Sequence, residues 1–296
     1  MSEGMRNRGT PWRCMTPVLV YLVLQNLASA AVILAYYAKE GFFGMTGVSA
    51  EALMNQVLTS TMENMDTLSF WSMMLGYVIL IPVFGHMHRK DLDQDRVLGY
   101  ETAHGEVSPA LYAVLLIAGA ASCVAASNMI SMSGLAGSSE NYAAAAGTLY
   151  STGILPELIG LGVLAPAAEE LLFRGLVYRR FKEFNSVIGS MIWASLLFAL
   201  LHGNLVQGIY AFISGFLMCY VYERYGSLKA PVVMHMASNV TAVLASETGI
   251  LDFMYGSRSS FYVWTFVCCA AVVAMIYLIE LYVRPYTETA DRRNDN

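Results

Sequence analysis

Three short segments of this 296-residue chain set ionisable or amide side chains inside apolar runs. A charge at the centre of a spanning helix costs roughly 2.5–3.5 kcal/mol, so such residues are functional candidates. The first segment is Pro166-Ala167-Ala168-Glu169-Glu170-Leu171-Leu172-Phe173-Arg174. Glu170 and Arg174 are four apart and can pair along one helical face. Glu169 is turned away by ~100° and has no partner in the segment. One paired and one unpaired carboxylate suit a division into structural and catalytic roles. Pro166 can open a new helical segment, which would bring both glutamates near a positive helix end. The second segment, Phe198-Ala199-Leu200-Leu201-His202, ends in a histidine that alone reads as an interfacial polar group. In the third, Pro231 to Asn239, His235 and Asn239 lie at i and i+4 on one face. Two donors on one wall can hold a developing oxyanion, although polar pairs between membrane helices are also common glue.

These groups need a scaffold, and the composition says which kind. The chain is 56% hydrophobic and 13% charged, with a mean hydropathy of +0.51. Soluble domains run to ~45–50% apolar and ~25% charged, so a soluble single-core protein is excluded. A net charge of −5 argues against disorder and against a nucleic-acid partner. Five scattered cysteines give neither a disulfide framework nor a C-x-x-C site. The expected fold class is all-α, a polytopic transmembrane bundle of about eight spans. Against the ~20 residues of a crossing helix, the runs fall near 16–38, 67–85, 109–127, 149–178, 187–203, 204–223, 230–246 and 261–283. Placing both termini in the cytoplasm puts all Lys and Arg residues except Lys39 and Arg258 on the inner side. The first run exceeds a signal peptide's ~7–15-residue apolar stretch and is expected to be retained. Stretches 39–66 and 128–147 read as outer loops and 86–108 as a cytoplasmic loop. His86-Met87-His88 with Asp91, Asp93 and Asp95 falls in that last loop and reads as solvated charge rather than a metal site. Glu280 is expected to pair with Arg284 at i, i+4. The divisions expected are 1–148 with three spans, 149–246 with the chemistry, and 247–296 with the last span and tail.

Taken in order, Glu169-Glu170-x-x-x-Arg174, Phe198-x-x-x-His202 and His235-x-x-x-Asn239 resemble the three motifs of the CAAX protease and bacteriocin-processing (Abi) family. The resemblance covers about 149–246. It implies an all-helical intramembrane glutamate endopeptidase related to the prenyl-protein endopeptidases. Glu169 would then be the base that activates water, helped by His202, with His235 and Asn239 as the oxyanion donors. Glu170 and Arg174 would support the first motif as an ion pair. The resemblance also implies a peptide or protein substrate at the lipid bilayer and no cofactor. Compact loops suggest a bacterial cell membrane, where a leader, bacteriocin or signalling peptide is a better substrate than a prenylated protein.

One geometric tension and several alternatives follow. At ~1.5 Å per residue from the inner face, Glu169 lies roughly 13 Å deep, Asn239 about 14 Å, His235 about 8 Å and His202 about 24 Å. His202 reaches the others only if its helix tilts or starts deeper. Two histidines and a glutamate can also bind zinc, but no H-E-x-x-H pair is present. A non-catalytic immunity or signalling-partner protein would keep these residues for packing. A transporter is disfavoured by the absence of an internal repeat.

Overall fold

The computed structural model describes residues 10–98 and 107–283, which are helical with no strand among them. Among the described residues, apart from short 3-10 turns, the helices are α1 Pro11–Lys39, α2 Ala50–Glu63, α3 Met65–Val97, α4 Pro109–Ser133, α5 Glu140–Leu149, α6 Ile154–Phe181, α7 Val187–Leu200, α8 Leu205–Tyr225, α9 Lys229–Thr248 and α10 Arg258–Tyr282. Several of their starts are fixed by side chains that accept orphan backbone N–H groups. Ser186 accepts from Gly189, Asn204 from Gln207 and Ser257 from Ser260.

The outward faces are apolar. Leu22, Val23 and Leu27 on α1 and Val263, Phe266 and Val273 on α10 are exposed. Contiguous apolar surface of this kind belongs against hydrocarbon rather than water. The molecule is therefore an all-α polytopic membrane bundle.

The span count differs from the eight expected. Five helices, α1, α3, α4, α8 and α10, are long and apolar enough to cross, and α5 with α6 makes a sixth if that pair, bent by 100°, is one span. Helix α7 has 14 residues, about 21 Å against a ~30 Å hydrocarbon core. Helix α9 has 20 residues, but His235, Ser238, Asn239 and Thr241 dilute its apolar character. These polar side chains, two of them the expected site residues His235 and Asn239, are what weaken its reading as a span.

The loops also differ from expectation. The 39–66 stretch contains α2, and 128–147 contains the end of α4 and most of α5. Helix α3 continues to Val97, so most of the expected 86–108 loop is helix. Asp91 and Asp95 pair with cations on other helices, whereas Asp93 is exposed and pairs with Arg96 on its own helix. Asp91 is buried and accepts from Arg13 on α1 at 2.8 Å and from Arg180 on α6 at 2.8 Å. Arg179 pairs with Asp95. His88 Nδ1 bonds the Gly175 carbonyl at 2.8 Å. Alternating charge in sequence resembled a solvated loop because its partners lie far away along the chain. The expected Glu280 partner, Arg284, lies outside the described residues, as do Arg6 and Arg8. Glu280 instead pairs with Arg224 and accepts from the Tyr220 hydroxyl on α8.

Helix α6 is irregular in a way that matters for the site. Its hydrogen bonding widens to π turns over Gly160–Leu164 and again over Leu171–Tyr178, on either side of Glu169 and Glu170. The Ala165 N–H bonds the Gly160 carbonyl, five residues back. The equivalent donor for Leu161 would be residue 166, a proline with no N–H. The freed Leu161 carbonyl accepts instead from Asn239 Nδ2 on α9 at 2.9 Å. Pro166 thereby couples α6 to α9. At the 100° corner before α6, Gly153 has φ 86°, a value that favours glycine. Fully buried Glu157 clamps that corner by accepting from the Thr152 and Gly153 N–H groups at 3.0 and 2.9 Å.

Helix α9 lies so close along α4 that a Cβ on Gly119 would sit 2.2 Å from the Met234 carbonyl oxygen and 2.9 Å from Ala237 Cβ. Small residues permit such contact between membrane helices. Gly119→Ala should therefore destabilise the protein by about 1–3 kcal/mol. Gly85→Ala has nothing within 4 Å and should be neutral or slightly stabilising. Thermal unfolding of both variants in detergent checks the contrast; equal midpoints would contradict the close approach.

Candidate active site

The buried centre of the bundle is an ion pair with a third member. Glu170 and Arg174 lie one turn apart on α6, at 0% and 1% exposure, with Nη1 to Oε1 at 2.7 Å. The same Oε1 accepts from His235 Nδ1 on α9 at 2.8 Å. Arg174 Nη2 donates to the Gly215 carbonyl on α8 at 3.0 Å. Its guanidinium also lies 5.0 Å from the centroid of Phe198 on α7, within cation–π range. One charge pair thus holds α6, α7, α8 and α9 together.

Glu169 points elsewhere, as the 100° rotation requires. Its Oε1 accepts from the Tyr77 hydroxyl on α3 at 2.8 Å, and its Oε2 lies 3.8 Å from His235 Nε2. That second distance is too long for a hydrogen bond but short enough for both atoms to touch one water or carbonyl oxygen.

His202 lies just past the end of α7 and folds back so that Nδ1 meets the Phe198 carbonyl at 2.8 Å. A carbonyl only accepts, so Nδ1 carries the hydrogen and Nε2 of the neutral ring is a free acceptor. The Phe198 ring sits edge-on to both histidines, with centroids 4.7 Å from His202 and 6.1 Å from His235. This back-folding answers the depth tension, because α7 is short and its histidine turns back toward the Phe198 level.

Glu169, His202, His235 and Asn239 all line one cavity of about 340 Å³. Glu170 and Arg174 stand behind that wall and do not line it. Asn239 spends one amide hydrogen on Leu161 and keeps the other. His235 is more constrained. Its Nδ1–H is committed to the shared carboxylate oxygen of Glu170, so only a doubly protonated ring can donate from Nε2 toward the cavity. In that form Glu169, Glu170, Arg174 and His235 together carry no net charge. Among the described residues no group of three or more His, Cys, Asp or Glu side chains is arranged to hold a metal ion.

Sequence reasoning passed over two members of this region. Tyr77 sits in an apolar run with nothing to mark it, and only the fold brings it to Glu169. Glu157 carried a readable signal, a carboxylate beside Pro156 within an apolar stretch.

Residues 151–241 match the family model for type II CAAX prenyl endopeptidases of the Rce1-like group. Over that stretch the chain is similar to this family. The Rce1-like segment holds all six residues singled out above, whereas Tyr77 on α3 comes from outside it. No curated protein and no solved structure matches the chain. The family, together with the apolar helices, supports an integral membrane protein and an intramembrane endopeptidase of the CAAX type.

Breaking the central pair from one side should be costly. Arg174→Met leaves the Glu170 carboxylate buried without its cation, which typically destabilises by about 3–5 kcal/mol. Glu170→Gln/Arg174→Met, which removes both charges, should recover much of that loss. A double-mutant cycle on unfolding in mild detergent reads the coupling; additive effects would show that the two side chains do not depend on each other.

Proposed function

We propose that the chain is a metal-independent glutamate endopeptidase that cuts a membrane-associated or secreted peptide inside this cavity. Glu169 takes a proton from a water, and His202 Nε2 accepts the water's second hydrogen bond and orients it. The resulting hydroxide adds to the scissile carbonyl carbon. The oxygen of that carbonyl becomes an oxyanion beside the Nε2–H of doubly protonated His235 and the remaining Asn239 amide hydrogen. Collapse of the tetrahedral intermediate breaks the C–N bond, and the proton held by Glu169 passes to the leaving amine. Glu170 and Arg174 act behind the wall, fixing the ring of His235. Tyr77 orients the Glu169 carboxylate.

The observation that carries this reading is the shared cavity. A base, a proton-free imidazole nitrogen and two potential donors converge on one volume although they come from α6, the end of α7 and α9. Peptide hydrolysis requires that set and needs no Ser or Cys nucleophile. A bacterial cell membrane is part of the proposal, with a leader, bacteriocin or signalling peptide as substrate.

A second reading, a non-catalytic immunity or signalling-partner protein, draws support from one observation: the Asn239 bond to Leu161 is a packing role. It does not extend to the second carboxylate oxygen of Glu169: Oε1 ties α6 to Tyr77 on α3, whereas among the described residues Oε2 makes no hydrogen bond to another helix.

Glu169→Gln should abolish peptide cleavage in a protein that inserts and unfolds like the wild type. Asn239→Ala should lower turnover by ~10²–10³, the usual loss for one oxyanion donor. Comparative peptidomics of membranes carrying wild type and Glu169→Gln reads the activity and identifies the substrate together. Unchanged peptide profiles would favour the interaction reading. Cleavage should also survive a strong chelator; loss restored by zinc would replace the mechanism with a metal-dependent one.

A further inference from the structure

The cavity extends beyond the groups assigned to the reaction, and its remaining wall has a definite chemistry. Tyr142 on α5 and Tyr150 at the end of that helix line it, with Ser127 and Ser238 from α4 and α9. Among the described residues neither tyrosine hydroxyl has a hydrogen-bond partner. Among the described residues no Lys or Arg lines the cavity, and Glu169 is the one carboxylate that does. Both tyrosines precede residue 151, outside the Rce1-like segment.

Their placement is built rather than incidental. The Glu157 clamp and Gly153 set the corner that turns α5 back from α6. Thr148 Oγ1 donates to Asp66 Oδ1 on α3 at 2.7 Å, which ties down the other side of the helix. Two hydroxyls held in place at a cavity wall are preorganised donors.

A hydrocarbon tail lying against them would strip their water and return no acceptor, a loss of binding energy. A peptide offers carbonyl, amide and hydroxyl acceptors. An acidic side chain would find no Lys or Arg beside these two hydroxyls, whereas a neutral polar one would pair with both donors.

We propose that Tyr142 and Tyr150 form a specificity subsite for an unlipidated peptide, accepting a neutral hydrogen-bonding side chain (asparagine, glutamine, serine or threonine) close to the scissile bond. The proposal rests on the endopeptidase reading and names its substrate class.

The test uses the full chain in lipid vesicles and a mass-encoded library of unlipidated peptides. Each polar residue is paired with an apolar isostere, asparagine with leucine or threonine with valine, and one set carries a farnesyl group. Wild type should prefer the polar member of a pair at one position by about tenfold or more in kcat/KM. Tyr142→Phe/Tyr150→Phe should unfold at the same temperature and cut the two members of each pair at similar rates, losing that preference. Farnesylated peptides should be cut no faster than their bare counterparts. A preference unchanged in the double variant, no preference in the wild type, or faster cleavage of farnesylated peptides overturns the subsite. Cleavage that survives Glu169→Gln overturns the mechanism instead and leaves the paired ratios to judge the tyrosines. No cleavage of any peptide by the wild type overturns both.

Discussion

A carboxylate with no exposure to solvent must be neutralised where it stands, and the way Glu170 meets that requirement organises the centre of this bundle. Its Oε1 is shared between Arg174 on its own helix and His235 on α9. Arg174 then reaches the Gly215 carbonyl on α8 and the face of Phe198 on α7. Lipid gives no hydrophobic drive between helices, so packing and polar contacts decide which faces meet. A buried ion pair is weak evidence of net stability, because desolvation offsets its attraction. It strongly penalises every arrangement in which one partner is lost. The pair therefore selects the register in which α9 presents His235 and Asn239 to the cavity.

The backbone irregularity of α6 follows the same logic. A regular helix through 154–181 would satisfy its own carbonyls and need nothing from α9. Pro166 removes one donor, the neighbouring turns widen, and the Leu161 carbonyl is completed by a side chain from another helix. Unsatisfied backbone is intolerable at membrane depth unless neighbours supply the missing bond. The two glutamates thus stand between π turns, a setting often found at functional sites. Gly119 supplies the matching condition on the far side of α9, letting α4 press against it.

The sequence made the local parts of this arrangement readable and concealed the distant ones. Glu170 and Arg174 are four residues apart, and their pairing follows from helical period alone. The three motifs could be identified as a set because each lies in an apolar run, where a polar side chain stands out. Fold class followed from composition. The span count did not, because α7 is short and α9 is polar for functional reasons, so a length-and-hydropathy criterion passes over both. The Asp91 and Asp95 region read as a solvated loop, since nothing local shows that Arg13, Arg179 and Arg180 return to it. Tyr77 is invisible for the same reason: its partner lies 92 positions away.

The two histidines differ through what each has done with Nδ1. His202 gives that hydrogen to a backbone carbonyl, a neutral acceptor that asks for no positive charge on the ring. Its Nε2 lone pair is left for the cavity, the property required of a group that receives a hydrogen bond from water. His235 gives its Nδ1 hydrogen to a carboxylate and faces a second carboxylate across 3.8 Å. With Nδ1–H committed, that ring offers Nε2 as a donor only when both nitrogens carry hydrogen. The sequence presents two equivalent imidazoles, and the fold distinguishes them by their Nδ1 partners, a backbone carbonyl for one and a buried carboxylate for the other. Glu170, which does not line the cavity, reaches its wall through a single hydrogen bond, and losing its charge would change the partner of His235 Nδ1 while leaving the lining side chains themselves unaltered.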